Sequence, residues 1–396
     1  MSSKALIAIA TVAVIIVAAF AVVAYDPGKF FNNNDGDKVT VVDDLGREVT
    51  LNKDPQRIVV PTYESVSAFV AIDGIGFLDK VVLGLDLLEV SVPGLYNSLL
   101  NVYPEIKDIP KVGASMEEGL GNLENIVSAE PDLIIITTSS YYYGFYGEGF
   151  METMEAASIP VVCVDFFSDL YKVEENGEYS CVKNIRLVGK ILDQEERAEE
   201  IAEFFLGVVG AVLDDPPSNP DMDSFYVDIM WRKMAYGSYG TTAISLSEID
   251  LLGGYNVARD VPGAYEGQAE VTFEDIYAFN ADALILAFSS FFTDNVNSMD
   301  VMGYGKNTSD AELKAEVDKY ITTQGLSTLR AYTEGNVYMV DSSLKSCIEG
   351  VVVLQYLAKW MYPEEYADLD PGALLIEYYD RFMPFDFDGV FFYEYN

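Results

Sequence analysis

Apolar and polar positions follow the same fourteen-residue pattern at two places 150 residues apart, residues 123–136 and residues 273–286. In each copy a Glu stands eight residues before an Asp, an Ile follows that Glu by two, and the Asp opens an apolar run. The first half of each copy has the spacing of a short amphipathic helix, and the second half has the character of a buried strand. Two such units predict two similar α/β lobes, with a ligand cleft between them.

Further strands are predicted where short apolar or β-branched runs are bounded by turn residues. Together with the strand of each repeat they cover residues 39–43, 48–51, 57–61, 81–84, 133–136, 161–164, 225–230, 283–288 and 337–340. The first two flank a four-residue turn and predict a β-hairpin. The others alternate with helical stretches, which is typical of a mainly parallel sheet.

A single long helix is predicted between the two halves of the chain. Apolar residues recur at helical spacing from Ala198 to Val212. The helix is expected to cover residues 194–213, about 30 Å at 1.5 Å per residue. Asp193 is expected to cap its first turn together with Glu196, and two acids followed by two prolines at residues 214–217 are expected to end it. The expected fold class is therefore α/β, with two Rossmann-like lobes, each a mainly parallel sheet with flanking helices, joined by one long connecting helix.

The amino-terminal segment is expected to be a membrane anchor or a signal segment. Residues 5–24 contain no charge, Lys4 precedes them and Asp26 follows them. Twenty helical residues span about 30 Å, the thickness of a bilayer core. A cleaved signal peptide is the alternative, and either outcome places the body of the protein outside the cytoplasm. The expected segments are a membrane anchor or signal at residues 1–25, a polar linker at 26–37, an N-terminal lobe at 38–192, the connecting helix at 193–215 and a C-terminal lobe at 216–396.

Composition excludes several function classes. With 64 acidic and 24 basic side chains the formal net charge is −40, which opposes binding to nucleic-acid phosphates. The chain has no histidine, so Ser-His-Asp catalysis and His-containing zinc sites are excluded. Its three cysteines show no C-x-x-C spacing; Cys163 and Cys181 form either a disulfide or, with Cys347, three separate buried thiols. We expect no metal site and no cofactor.

Several segments, in this order and spacing, resemble the solute-binding proteins of ABC importers for vitamin B12, ferric siderophores and haem. They are residues 43–49, 57–59, 123–126 with 131–134, 185–192 with 196–198, 331–338 and 356–363. The second lobe departs from the family pattern, because Ala281 replaces the usual Pro and residues 295–323 look like an insertion. The resemblance implies an extracytoplasmic, non-enzymatic, monomeric protein that captures a bulky metal chelate, such as a ferric siderophore, corrinoid or haem. It also implies a partner, an ABC permease dimer with its ATPase.

The loops that follow the predicted strands are rich in aromatic residues, and ligands of α/β lobes lie at the carboxyl ends of strands. The ligand-binding candidates are Tyr63, Glu64, Tyr141, Tyr142, Tyr143, Trp231, Arg232, Tyr236, Phe291, Phe292 and Ser342. In the resembled family a glutamate on each lobe docks onto arginines of the permease, and the matching positions are Glu124 and Glu274. A carboxylate suits this role because it accepts a bidentate arginine fork.

Two other functions remain open from the sequence. Abundant Asp and Glu are compatible with an anchored extracellular hydrolase that uses paired carboxylates, although no spacing singles out a pair. A cell-surface structural protein would account for the anchor and the acidity. It would not account for the connecting helix or the aromatic loops.

Overall fold

The computed structural model describes most of the chain from Asp37 onwards. The described residues are 37–61, 63, 65–113, 123–138, 144, 146–147, 149–166, 170–218, 220–229, 238–239, 248–261, 269–288, 301–341, 343–344 and 347–395. Within them, no helix is long and apolar enough to cross a membrane. The expected anchor at residues 1–25 lies outside the described part of the chain.

The N-terminal lobe is a parallel sheet with flanking helices and a separate hairpin. Its elements, in chain order, are β1 (Lys38–Val42), β2 (Glu48–Asn52), β3 (Ile58–Val60), α1 (Val66–Asp73), α2 (Gly76–Lys80), β4 (Val81–Gly84), α3 (Leu88–Ser91), α4 (Pro93–Val102), a 3₁₀ turn (Pro104–Asp108), α5 (Leu123–Ser128), β5 (Leu133–Ile136), α6 (Phe150–Ala156), β6 (Val161–Cys163) and α7 (Ser180–Ile191). Strands β1 and β2 pair antiparallel, as the predicted hairpin requires. The sheet has the order β4-β3-β5-β6, and all of its pairs are parallel.

One carboxylate organises the hairpin turn and attaches it to the sheet. Asp43 accepts hydrogen bonds from the backbone N–H groups of Leu45 and Arg47 at 3.1 and 3.0 Å. It also accepts from the backbone N–H of Cys163, at the end of β6, at 3.2 Å. An Asp that bonds its own turn is a usual way to fix a reversal of the chain. Here the same side chain also fixes where the hairpin sits.

The connecting helix is present as α8 (Glu195–Leu213), and its predicted cap is wrong. The residue before the helix is Gln194, which makes no capping hydrogen bond through its side chain. Asp193 has a φ of 57° and belongs to the end of α7, because the N–H of Gln194 bonds back to the carbonyl of Gly189 at 2.8 Å. A left-handed residue just after a helix is a common C-terminal cap. Helix α7 ends and helix α8 begins at this point. The sequence pattern that predicts the start of a helix therefore also fits the end of the preceding one.

The C-terminal lobe repeats the architecture. Its elements are β7 (Ser224–Ile229), β8 (Ser238–Tyr239), α9 (Glu248–Leu251), β9 (Tyr255–Asn256), a 3₁₀ turn (Val257–Asp260), β10 (Ala269–Glu270), α10 (Phe273–Phe279), β11 (Ala283–Phe288), β12 (Gly303–Tyr304), α11 (Asp310–Thr323), α12 (Arg330–Thr333), β13 (Val337–Asp341), a 3₁₀ turn (Ile348–Val351), α13 (Val352–Met361), α14 (Pro371–Phe382), β14 (Gly389–Val390) and β15 (Phe392–Glu394). The five-stranded sheet has the order β15-β13-β11-β7-β9, and β15 is its antiparallel edge strand. The α/β fold of two mainly parallel sheets is thus confirmed.

The stretch expected to be an insertion contributes a helix to the core of this lobe. Helix α11 buries Leu313, Val317, Tyr320 and Ile321, and these side chains belong to one apolar cluster with residues of β7, β11 and β13. Ser309 caps the helix by accepting from the N–H of Glu312. The helix therefore covers one face of the C-terminal sheet.

The connecting helix packs against both lobes. Arg197 of α8 donates from Nε to the carbonyl of Ala71 in α1 at 3.2 Å, and its guanidinium lies over the ring of Phe382 in α14 at 4.9 Å. At the other end of α8, the hydroxyl of Tyr366 donates to the carbonyl of Val212 at 2.9 Å. Because helices of both lobes contact it along its length, α8 is a rigid spacer between the two sheets.

The three cysteines are buried free thiols. Cys163 ends β6, Cys181 lies in α7 and Cys347 precedes the 3₁₀ turn Ile348–Val351. Burial raises the pKa of Cys163 to about 12 and raises the pKa of the other two as well. The thiols are therefore protonated and behave as small apolar side chains. Of the two alternatives from the sequence, the structure has separate thiols.

Candidate functional site

Five of the parallel strands, β3, β5, β7, β11 and β13, end at Val60, Ile136, Ile229, Phe288 and Asp341. All eleven ligand-binding candidates follow one of these strand ends within about seven residues in the chain. Tyr63 is described; it is half-buried and packs against the main apolar core. The remaining ten lie outside the described residues: Glu64, Tyr141, Tyr142, Tyr143, Trp231, Arg232, Tyr236, Phe291, Phe292 and Ser342.

The turn after β4 is fixed by a close approach of two strands. Gly84 has a φ of 126°, and a Cβ at this position would lie 1.9 Å from the carbonyl oxygen of Val60. That oxygen accepts from the N–H of Leu85 at 2.7 Å. Asp86 then accepts from the N–H groups of residues 112–113 at 2.9 and 2.5 Å. The carboxyl edge of the N-terminal sheet is therefore held by backbone contacts that only glycine permits at position 84.

A buried carboxyl group lies near the carboxyl end of β7. The side chain of Asp228 is buried, and the hydroxyl of Tyr320 in α11 donates to its Oδ2 at 2.5 Å. Its other oxygen, Oδ1, has no hydrogen-bond partner among the described residues. Burial raises the pKa of Asp228 to about 6, although the hydrogen bond from Tyr320 opposes the shift. The group therefore changes charge close to neutral pH.

A second buried carboxyl group ends β13. Asp341 is buried, and its Oδ1 accepts from the backbone N–H of Ser343 at 2.9 Å. Its Oδ2 has no partner within the described part of the chain. Burial raises the pKa of Asp341 to about 6, against the hydrogen bonds from Ser343. An Asp that closes an apolar strand is the sequence signal that indicates such a group.

The two carboxyl groups lie on the same face of the C-terminal sheet. Residues two apart in a strand share a face, so Asp228 lies on the face of Tyr226 and Asp341 on the face of Met339. Tyr226 and Met339 belong to the same apolar cluster, and both Asp228 and Met339 pair in register with Leu286. Both carboxyl groups are therefore neutral below about pH 6 and negatively charged above it.

A separate open groove of about 1050 Å³ lies between the hairpin, α7 and the turn at residues 172–178. It is lined by three lysines, one arginine and six acids, and several of these pair with one another. Lys183 pairs with Asp44 at 2.8 Å, and Arg186 pairs with Glu178 at 2.5 Å. Because acids outnumber bases in the lining and each base already has a partner within the lobe, the groove is a poor site for an anionic ligand.

The two candidate docking glutamates occupy equivalent places. Glu124 is the second residue of α5 and Glu274 is the second residue of α10, and both are exposed. Helix α10 begins with a capping box, in which Thr272 accepts from the N–H of Asp275 and returns its own N–H to the Asp275 carboxylate. A helix that leads into a parallel strand runs opposite to it, so each first turn lies toward the carboxyl edge of its sheet.

No group of three or more Cys, Asp or Glu side chains among the described residues has the arrangement of a metal site. The buried carboxyl groups named above lie apart and have hydroxyl or backbone partners.

Comparison with known proteins gives consistent matches over both lobes. A family model described as "Periplasmic binding protein" matches residues 58–344. The molybdate-binding protein MolA of Haemophilus influenzae is 19% identical over 372 residues, which is 86% of this chain and 90% of that protein. The crystal structure of the TroA-like periplasmic binding protein FepB from Veillonella parvula is 26% identical, with a TM-score of 0.77 over 90% of this chain and 100% of that chain. The periplasmic catecholate-siderophore binding protein VctP from Vibrio cholerae is 16% identical, with a TM-score of 0.53 over 83% of this chain and 100% of that chain.

Proposed function

The chain belongs to the periplasmic binding protein family, the solute-binding components of ABC importers, and we propose that it captures a bulky metal chelate. The chelate is a ferric siderophore, a corrinoid or haem. It binds in the cleft between the lobes and is delivered to a permease dimer driven by its ATPase. The protein works as a monomer outside the cytoplasm, held to the membrane by its amino-terminal segment.

One observation supports a chelate above all. The eleven candidates follow the carboxyl ends of strands in two different sheets, and eight of the eleven are aromatic. Aromatic faces suit a flat or bulky ligand, while a few polar groups orient it. Buried carboxyl groups at this edge of the C-terminal lobe, Asp228 and Asp341, disfavour a small naked anion.

The named ligands of the relatives include a small oxyanion and a catecholate siderophore. At 19% and 16% identity these relatives support the fold and leave the choice of ligand to experiment. Molybdate is therefore included as the competing ligand in the test.

The test is a titration of the full-length protein in detergent solution with ferric catecholate siderophores, haem, cobalamin and molybdate. Calorimetry should give saturable one-to-one binding of at least one chelate. The chain has two tryptophans, and Trp360 is stacked on Tyr338 with ring centroids 4.3 Å apart inside the core. The chelate should quench the fluorescence of Trp231.

The tryptophans provide a matched control. Trp231→Phe should abolish the quenching, whereas Trp360→Phe should preserve it. If molybdate binds and none of the chelates does, the ligand of this protein is an oxyanion and the proposal of a chelate is wrong. Absence of binding across the whole panel would remove the assignment of a chelate and leave the family and the fold unchanged.

Docking is the second part of the proposal. Glu124 and Glu274 contact arginines of the permease, one on each lobe. Their support is their equivalent, exposed positions in the first turns of α5 and α10. Carboxylates at such positions also interact favourably with the helix dipole, without any permease partner. Only a transport assay separates this local role from docking.

A further inference from the structure

A buried carboxyl group lies where the two lobes meet. Glu349 belongs to the 3₁₀ turn Ile348–Val351 of the C-terminal lobe, and it is 0% exposed. The hydroxyl of Ser67, in α1 of the N-terminal lobe, donates to its Oε2 at 3.4 Å. The hydroxyl of Tyr379, in α14, donates to its Oε1 at 3.3 Å. One carboxyl group therefore joins helices of both lobes.

The contacts continue from Tyr379 back to the N-terminal lobe. The hydroxyls of Tyr379 and Tyr304 lie 2.6 Å apart. Tyr304 of β12 packs so closely on α4 that a Cβ added to Gly94 would lie 2.3 Å from the Tyr304 Cβ. The series of contacts that begins at Ser67 in the N-terminal lobe therefore passes through the C-terminal lobe and returns to the N-terminal lobe at Gly94. We call these five residues, with Glu349 at the centre, the interlobe seam.

The residues that act on the Glu349 carboxyl group are neutral in the described part of the chain. The hydroxyls of Ser67 and Tyr379 donate to it, and the thiol of Cys347 lies beside it and donates to the carbonyl of Ser343 at 3.7 Å. Burial raises the pKa of Glu349 by more than these hydrogen bonds lower it. A hydroxyl bonded to an ionised carboxylate usually lies at about 2.5–2.7 Å. The longer distances in the seam fit a neutral carboxyl group.

The other titratable side chains around Glu349 are buried too. They come from β13, α7, the residue before the 3₁₀ turn, β12 and α14, and are Asp341, Cys181, Cys347, Tyr304, Tyr378 and Tyr379. Helix α8 packs on the 3₁₀ turn that contains Glu349, and none of the charged side chains of α8 shifts the pKa of this carboxyl group. Burial raises the pKa of every thiol and tyrosine in the set, so these stay neutral. Asp341, whose pKa burial raises to about 6, is the other carboxyl group in the set.

We propose that Glu349 is a proton-dependent latch between the lobes. In the neutral form, hydroxyls from both lobes hold the carboxyl group and the interlobe seam excludes water. Loss of the proton leaves a buried charge that no cation of the described residues neutralises, and such a charge is stable only when water reaches it. Water reaches it when the seam opens, so a rise in pH shifts the protein toward an open seam.

The consequence for the ligand rests on the proposed function. The cleft lies between the same two lobes, so opening the seam changes how they face a bound chelate. The affinity for the chelate should therefore fall as pH rises, and Glu349→Gln should abolish that fall.

The test needs no ligand and uses two of the protein's own thiols. Cys347 is 4% exposed and lies beside Glu349, whereas Cys163 is 0% exposed at the end of β6, outside the seam. The full-length protein in detergent is pulse-labelled with N-ethylmaleimide across the pH range, and mass spectrometry measures each site. Both thiols have raised pKa values, so the ratio of their labelling rates cancels thiol ionisation and global unfolding. The Cys347 to Cys163 ratio should rise by up to about tenfold per pH unit between the ordinary glutamate pKa of about 4.3 and the raised pKa of Glu349 in the closed seam, because opening releases one proton only in that range.

Three variants make the outcome decisive. Glu349→Gln keeps the size of the side chain but cannot ionise, so its labelling ratio should stay low and flat. Asp341→Asn should retain the slope of the wild type. Ser67→Ala, which loses the donor from the N-terminal lobe, should raise the ratio at every pH.

A flat ratio in the wild-type protein would overturn the proposal without any variant. So would an equal slope in Glu349→Gln, or a slope that is lost only in Asp341→Asn. Because no chelate is present, failure of the ligand titrations leaves this result intact, and the two proposals fail independently.

Discussion

Asp132 and Asp282 hold the start of a parallel strand in the same way, one in each lobe. Asp132 accepts from the two consecutive backbone N–H groups of residues 56–57, just before β3, at 2.9 Å each. Asp282 accepts from the N–H groups of residues 223–224, at the start of β7, at 3.3 and 3.2 Å. Each Asp thus fastens the amino end of its own strand to that of the neighbouring strand. The sequence repeat is therefore a structural repeat.

The turn that leads to each Asp is also the same. Glu130 and Asn280 stand two residues before the Asp, and both have a φ of 47°. A left-handed residue ends the short helix and turns the chain into the strand. Glycine or asparagine adopts this conformation more readily than glutamate, so the N-terminal copy carries the greater local strain.

The first prediction concerns these two aspartates. Burial opposes ionisation of Asp282, but hydrogen bonds from Ser224 and residue 223 and the charge of Arg330 hold its pKa below the usual range. Asp282→Asn should cost about 1–3 kcal/mol of unfolding free energy at neutral pH, the usual loss for hydrogen bonds to a charged group. Because the folded pKa is lowered, the cost should shrink as the pH falls below about 4. Urea unfolding at two pH values measures it.

The matched variant is Asp132→Asn, whose side chain accepts the corresponding backbone hydrogen bonds. Asp282 also accepts from the Ser224 hydroxyl at 2.7 Å and pairs with Arg330 at 2.7 Å. Asp132→Asn should therefore cost less than Asp282→Asn, because fewer bonds to the carboxylate are lost. An equal or larger cost would show that Ser224 and Arg330 do not strengthen the C-terminal copy.

The second prediction concerns transport. Glu124→Ala and Glu274→Ala should each reduce uptake in host cells while leaving ligand affinity unchanged, and the double variant should be worse than either single one. Loss of a charged docking contact costs on the order of 2–5 kcal/mol where it is buried and less at a wet rim. Uptake of labelled ligand and calorimetry of the purified protein separate the two effects.

Glu203→Ala is the control for docking. Glu203 is an exposed glutamate of α8, away from the first turns of α5 and α10, and its loss should not affect uptake. Normal uptake in the Glu124 and Glu274 double variant would refute the docking roles. Loss of ligand binding would instead place these carboxylates in the cleft.

The third prediction concerns pH and Asp228. Its folded pKa of about 6 is raised above the usual value, so its stabilising proton is fully bound below about pH 4 and is lost as pH rises through 6. Asp228→Asn mimics the neutral acid and still accepts from Tyr320. The variant should match the wild type near pH 4 and exceed it at pH 8 by on the order of 2–3 kcal/mol, at about 1.4 kcal/mol per pKa unit.

Asp275→Asn is the opposite case. Hydrogen bonds from Thr272 lower the pKa of Asp275 in its exposed capping box. Its replacement should destabilise the protein at neutral pH and have little effect in acid. Thermal unfolding of both variants at several pH values should therefore give slopes of opposite sign, and slopes of the same sign would contradict the assigned cause of each shift.

The fourth prediction concerns salt. The acids outnumber the bases by 64 to 24, so like charges repel one another across the folded surface. Raising ionic strength from about 0.01 M to 1 M shortens the screening length from about 30 Å to about 3 Å. The unfolding temperature should rise, equally for sodium chloride and choline chloride. A fall would mean that surface ion pairs, such as Lys53 with Asp193 and Glu195, outweigh the repulsion.

The elements whose pattern is local can be predicted from the amino-acid sequence. The hairpin, the parallel strands, the connecting helix and the two repeats follow from period-2 and period-3.6 spacing over a few residues. The family resemblance was confirmed for the same reason, since it rests on these segments and their order. The strand ends then indicate which loops belong near a ligand, because parallel strands of one sheet end at one edge.

The contacts between groups that are distant in the chain follow from the packing of the elements and cannot be predicted from local patterns. Asp193 lies in the sequence pattern of a helix N-terminus, but in the structure it belongs to the C-terminal end of α7. The two helices are so close in the chain that the same residues lie at the end of α7 and the start of α8. Ser67 and Glu349 lie 282 positions apart, and nothing near either residue indicates that they share a hydrogen bond. A buried carboxyl group acquires its partners and its pKa from whichever elements pack around it. Spacing along the chain encodes which face of an element is buried, but not which remote side chain it will be buried against.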